Sequence, residues 1–120
     1  MGEIRDKVTI SYKDSVETEA LFDSGASLSI VDEDVAKKAG MVIGDIAQES
    51  ILVDGSRVRY KLALGMIEVK GCKSPLYAGV LVGAKPIVSC LIGNTQMELM
   101  GITLNPEKKS YTVKCRLPRL

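Results

Sequence analysis

Ala20-Leu21-Phe22-Asp23-Ser24-Gly25-Ala26-Ser27 places one carboxylate at the end of an apolar run and follows it at once with a hydroxyl and a glycine. The apolar residues predict a buried strand, and Ser24-Gly25 predicts the tight turn that ends it. A charge at the end of a buried strand costs free energy unless hydrogen bonds or a function offset it. Asp, Ser and Gly also build ordinary turns in many proteins, so the tripeptide alone points no further than a turn. What it means depends on the pattern around it.

Upstream, Val8, Ile10 and Tyr12 alternate with Thr9 and Ser11, and Lys13-Asp14-Ser15 is a polar turn. This predicts an opening hairpin whose second arm, residues 16–22, delivers Asp23. Downstream, residues 28–31 predict a short strand and residues 32–40 a short helix, with acids in its first turn, lysines in its last and Gly40 at the stop. Asp54-Gly55-Ser56 is flanked by predicted strands at 50–53 and 57–64, and Asp-Gly suits the positive backbone angles of a tight hairpin. Further strands are predicted at 66–69, 76–82 and 87–92, and a second helix at 95–100 closed by Gly101. The chain then runs through 102–104, turns at 105–109 and ends in a strand with Tyr111, Val113, Cys115 and Leu117 on one face. Many short strands with two brief helices describe an all-β barrel or sandwich.

Composition narrows the chemistry. The chain has 120 residues, the size of one domain. Sixteen basic and fifteen acidic residues leave a net charge of +1, with no basic block to attract nucleic acid. No apolar run approaches the ~20 residues that span a bilayer, and the N-terminus lacks a signal-peptide pattern. A soluble, cytoplasmic protein is therefore expected. Cys72, Cys90 and Cys115 are odd in number and far apart, which predicts reduced, partly buried thiols. The absence of histidine removes Ser-His and Cys-His mechanisms and the usual zinc sites, leaving carboxylates, Lys, Tyr and backbone groups for the chemistry.

In order along the chain stand Asp23-Ser24-Gly25-Ala26 after an apolar strand, the hairpin around Asp54-Gly55-Ser56, Gly79-Val80-Leu81-Val82-Gly83, and Leu91-Ile92-Gly93 leading into a helix that ends at Gly101-Ile102-Thr103-Leu104-Asn105. From about residue 4 to residue 105 this order resembles the retropepsin-like aspartic peptidases, which include the retroviral proteases. The resemblance implies a closed acid-protease β-barrel with two short helices, one lobe per chain, in a single domain over 1–120 with a C-terminal extension at 106–120. It also implies a polypeptide substrate and no metal or cofactor, because water is the attacking group.

Peptide hydrolysis by carboxylates needs two of them, one ionised and one protonated. Only one Asp-Ser-Gly is present, so the resemblance implies a homodimer in which two copies of Asp23 share a site and titrate as a unit. Ser24 is then expected to hydrogen-bond across the dyad, and Gly25 to leave room for the substrate backbone. Ala26 replaces the hydroxyl residue of pepsin-like enzymes that favours the ionised carboxylate, and its absence predicts an optimum at about pH 5–6 rather than near 2. Asp54, Gly55 and Ser56 are expected at the tip of a flap. Ser27, where retroviral enzymes often carry an acid, and Leu28, Val53, Val82 and Ile87 are candidate pocket walls. The alternative is a catalytically inactive module of the same fold that dimerises or holds a peptide in its groove.

Overall fold

The structure, a computed structural model, describes residues 3–52 and 54–116. Strands β1 (Ile4–Ser11) and β2 (Ser15–Phe22) form the opening hairpin, in register from Ile4 opposite Phe22 to Ser11 opposite Ser15. Then come β3 (Ser29–Val31), helix α1 (Glu33–Ala39), β4 (Val42–Ile51), β5 (Arg57–Val69), β6 (Cys72–Val82), β7 (Cys90–Ile92), helix α2 (Asn94–Met100), β8 (Ile102–Asn105) and β9 (Ser110–Val113). The main sheet runs β1-β2-β7-β3-β6-β5-β4, and β1 also pairs with β5. That last pairing closes six strands into a barrel and leaves β4 on the outside of β5. Closure removes free edges from the ring and encloses a core of aliphatic side chains.

Ile10, Val31, Ile67, Leu76 and Ile92 are fully buried in this core. Each contributes roughly 1.5–3 kcal/mol relative to exposure. Branched aliphatics fill the barrel because only five aromatic residues are available. α1 ends as its sequence dictates: Gly40 adopts the left-handed conformation at φ 70° and its N–H caps the helix on Lys37 O.

Several predicted boundaries change. The stretches 57–64 and 66–69 are one thirteen-residue strand, β5, running straight through Gly65. A Cβ at Gly65 would lie 3.0 Å from both Ser11 O and Met41 Cγ. The glycine therefore permits the close approach at which β1 closes the barrel, and does not break a strand. β6 starts at Cys72 rather than 76, and the strand predicted from 87 begins only at Cys90.

The C-terminal extension pairs within the subunit: β9 lies antiparallel to β8, Ile102 opposite Val113. Tyr111 anchors this hairpin. Its ring packs on Phe22 with centroids 4.5 Å apart, its hydroxyl donates to Asp6 Oδ2 at 2.6 Å, and Lys70 Nζ lies 3.8 Å over the ring while donating to Tyr111 O. Burial, aided by the Asp6 carboxylate, pushes the Tyr111 hydroxyl well above the ordinary tyrosine range.

The cysteine expectation fails. Cys72 and Cys115 form a disulfide with Cα atoms 5.5 Å apart, and only Cys90 is a free, buried thiol. After β9 the chain does not continue as a strand. Cys115 takes φ 53°, and the N–H groups of Lys114 and Cys115 donate to Gly101 O and Met100 O, folding the segment back toward Cys72. Leu117 lies outside the described residues. Among the described residues no helix is long and apolar enough to cross a membrane.

Candidate active site

β2 carries Asp23 to its position, and β7 holds it there. Phe22 is in parallel register with Ile92, and the Asp23 N–H donates to Ile92 O at 2.9 Å. The chain then turns. Gly25 N–H donates to Asp23 Oδ1 at 2.9 Å, and Ala26 N–H donates to Asp23 O at 3.2 Å. Gly25 N–H is the single hydrogen-bond donor to the Asp23 carboxylate among the described residues. The Ala26 methyl offers no bond there, as the sequence implies. Asp23 is half-buried and Ser24 and Gly25 are exposed, so the carboxylate faces outward from the end of the barrel.

A second loop clasps the first. Asn94 N–H donates to Ala26 O at 2.6 Å, and Gly93 N–H donates to the buried hydroxyl of Ser29 at 3.0 Å. A Cβ at Gly93 would sit 2.8–2.9 Å from Ala26 O and the Leu28 carbonyl, all backbone atoms with no freedom to move aside. Gly93 is thus needed for the two loops to cross. Gly93→Ala is expected to cost about 1–3 kcal/mol, the usual penalty for overpacking, and to displace the Asp23 loop. Urea denaturation checks this; an unchanged midpoint would remove Gly93 from its assigned role.

Beside the Asp23 loop opens a cleft of about 240 Å³ between that loop, β5, β6 and the end of β4. Gly25, Ala26, Ser27 and Leu28 line one side, Ile51 and Leu52 the other, with Tyr60, Gly79 and Leu81 on the floor. Gly79 matters because a Cβ there would press within 3.2 Å of both Leu28 and Tyr60. Tyr60, which sequence reasoning missed, is fixed by its hydroxyl donating to Gln48 Oε1 at 3.2 Å. A tyrosine on a predicted strand gives no signal of facing a cleft until strand register is known.

Asp54, Gly55 and Ser56 do occupy the exposed tip of the β4–β5 hairpin. Ser56 donates from both N–H, at 2.8 Å, and Oγ, at 2.6 Å, to Asp54 Oδ1, and these bonds hold the Asp54 carboxyl below its usual range. The turn is best formed with Asp54 ionised, and this contribution is lost as pH falls through the depressed value. The cleft itself is lined by the hairpin residues nearer its base. Two predicted walls are not brought to it. Val82, at the end of β6, is partly exposed, and Ile87, in the loop before β7, projects fully into solvent. Strand β7 is too short to draw Ile87 inward. Val53 lies outside the described residues.

The six-strand barrel with its two helices is a retropepsin-like fold. The retroviral protease-like domain of Ddi1 from Leishmania major matches with a TM-score of 0.67 at 18% identity, over 95% of this chain and 90% of that one. The EIAV protease, solved with the inhibitor HBY-793, matches with a TM-score of 0.66 at 18% identity, over 87% of this chain and 93% of that one. A comparison with curated proteins finds no significant match. The aspartyl protease family model matches residues 7–95, and the chain belongs to that family.

Proposed function

We propose that the chain is an aspartic endopeptidase acting as a homodimer, with Asp23 of each subunit bound to one shared water. The observation that carries this reading is the setting of Asp23. Its carboxylate is aimed by Gly25 N–H, partly open to solvent and adjacent to a cleft in which, among the described residues, no acidic side chain lines the wall. The second carboxylate that peptide hydrolysis requires must then come from another chain, and a two-fold contact brings the same residue from both sides.

In such a pair the ionised Asp23 takes a proton from water as the oxygen attacks the peptide carbonyl carbon, while the protonated one donates to the carbonyl oxygen. The resulting diol collapses as its proton returns through a carboxylate and the nitrogen leaves as an amine. Gly25 and Ala26 leave space for the substrate backbone beside the carboxylates. The apolar cleft receives a side chain next to the scissile bond, and the hairpin tipped by Asp54, Gly55 and Ser56 closes over it as a flap.

The test is hydrolysis of unfolded proteins from pH 3 to 7 over a range of chain concentrations. Activity is expected to peak at about pH 5–6, because Ala26 supplies no bond to the ionised form, and specific activity is expected to fall on dilution as dimers dissociate. An optimum near pH 2, or activity independent of dilution in a chain that sediments as a monomer, would overturn the shared-water arrangement. An inert but dimeric, peptide-binding chain would favour the non-catalytic module.

A further inference from the structure

The face that floors the cleft does not end there. Side chains alternate across a strand, so Leu81, Gly79, Tyr77 and Pro75 share one face of β6. In register beside them on β5 lie Tyr60, Leu62, Leu64 and Met66. Gly79, Leu81 and Tyr60 belong to the cleft. Leu64, Pro75 and Tyr77 belong to a second and larger depression of about 590 Å³, whose far wall includes Leu99 of α2. Ser27 and Leu28 line both and form the partition between them.

This groove is unusual for a surface. Leu64, Tyr77 and Leu99 are 51%, 50% and 47% exposed, and Tyr12 and Val42 add to the same patch. Among the described residues no charged side chain lines it. Contiguous exposed apolar surface of this kind marks a binding site, whereas scattered exposed leucines do not. At ~3.3 Å per strand residue, Tyr77 and Pro75 lie about 7 and 13 Å beyond Gly79 along β6. An extended polypeptide in the cleft that crosses Leu28, which packs over Gly79, reaches the groove with a side chain roughly two to four residues further on.

We propose that the groove is an outer subsite for the polypeptide held in the cleft, receiving an apolar side chain of leucine or phenylalanine size. The substrate class is accordingly an extended segment with spaced apolar residues, one at the cleft and one roughly two to four positions away. Continuity of the β5–β6 face, with a partition only one side chain thick at Leu28, selects a flanking stretch of the same polypeptide over a separate partner. The inference rests on reading the cleft as a polypeptide site.

The experiment digests a denatured proteome with wild type and with Tyr77→Lys, a substitution at a half-exposed position, and compares residue frequencies around the cut sites. Wild type is expected to enrich apolar residues at the outer position, and the ratio of cleavage with an apolar over an acidic residue there is expected to fall about tenfold in the variant. Equal ratios in the two proteins would overturn the proposal. If neither protein cuts, the peptidase reading fails separately. The same peptides are then captured on immobilised Asp23→Asn with and without Tyr77→Lys, where loss of the outer apolar preference supports the subsite and identical capture rejects it. A change in sedimentation caused by Tyr77→Lys would instead make the groove a contact between copies of the chain and overturn the proposal.

Discussion

On the proposed peptidase reading, Asp23→Asn is expected to lower kcat/KM for peptide hydrolysis by about 10⁴-fold, the upper end of what losing positioned acid–base catalysis costs, while the barrel and the proposed dimer persist. That factor corresponds to about 5 kcal/mol of transition-state stabilisation. Asparagine keeps the shape of the side chain and an oxygen that accepts from Gly25 N–H, now bonded at 2.9 Å, so the turn survives. It can neither take a proton from water nor give one to the carbonyl. In a homodimer one substitution removes both carboxylates. Asp23→Ala should be equally inactive and also less stable, by about 1 kcal/mol for the lost hydrogen bond. Kinetics, circular dichroism and sedimentation on the same samples check this. An Asp23→Asn chain that is folded and dimeric and retains more than about a tenth of the activity would exclude Asp23 as the catalytic residue, since acid–base losses are far larger.

The order of elements around Asp23 was legible because each carries a local signal. The β1–β2 turn, the capped α1, the Asp54-Gly55 hairpin and α2 with its closing Gly101 stand where period and turn chemistry place them. What sequence reasoning missed depends on contacts between distant residues. Gly65 reads as a break until β1 is known to pass against it, and the start of β4 lacks alternation because its register with β5 shifts between Ile43 and Ala47. In the candidate site, the place of Asp23, Gly25 and Ala26 on a tight turn after β2 could be read from their motif. Ser29 could not, since a serine in an apolar strand announces nothing until Gly93 N–H is found bonded to it. Ile87 failed for the converse reason: an apolar residue opening a predicted strand reads as a wall, yet β7 begins only at Cys90 and Ile87 stays in an exposed loop.

Loss of the Cys72–Cys115 disulfide is the second large expected effect. The bond spans 43 residues, and closing a loop of that size restricts the unfolded chain by up to roughly 4 kcal/mol, with 2–4 kcal/mol the usual measured range. Cys115→Ser, or wild type under reductant, should therefore unfold at a lower urea concentration, with a thermal midpoint down on the order of 10 °C. Thiol counting tests the bond independently of stability. Burial pushes the Cys90 thiol up to about 12, so it carries almost no thiolate at neutral pH. Of the three cysteines, none should react in the folded oxidised protein, one after unfolding without reductant, and all three after unfolding with it. Three reactive thiols without reductant would disprove the bond. Its influence should also be local. The bonds from Lys114 and Cys115 to Gly101 and Met100 lie beside the cross-link, whereas β9 keeps its own anchor in Tyr111, bonded to Asp6 and packed on Phe22. Reduction is thus expected to speed amide exchange at residues 114–116 before the β8–β9 pairing. Since Phe22 precedes Asp23 directly, the Tyr111 contact keeps the hairpin coupled to the strand that carries Asp23, and the proposed activity should outlast the cross-link at temperatures below the lowered midpoint.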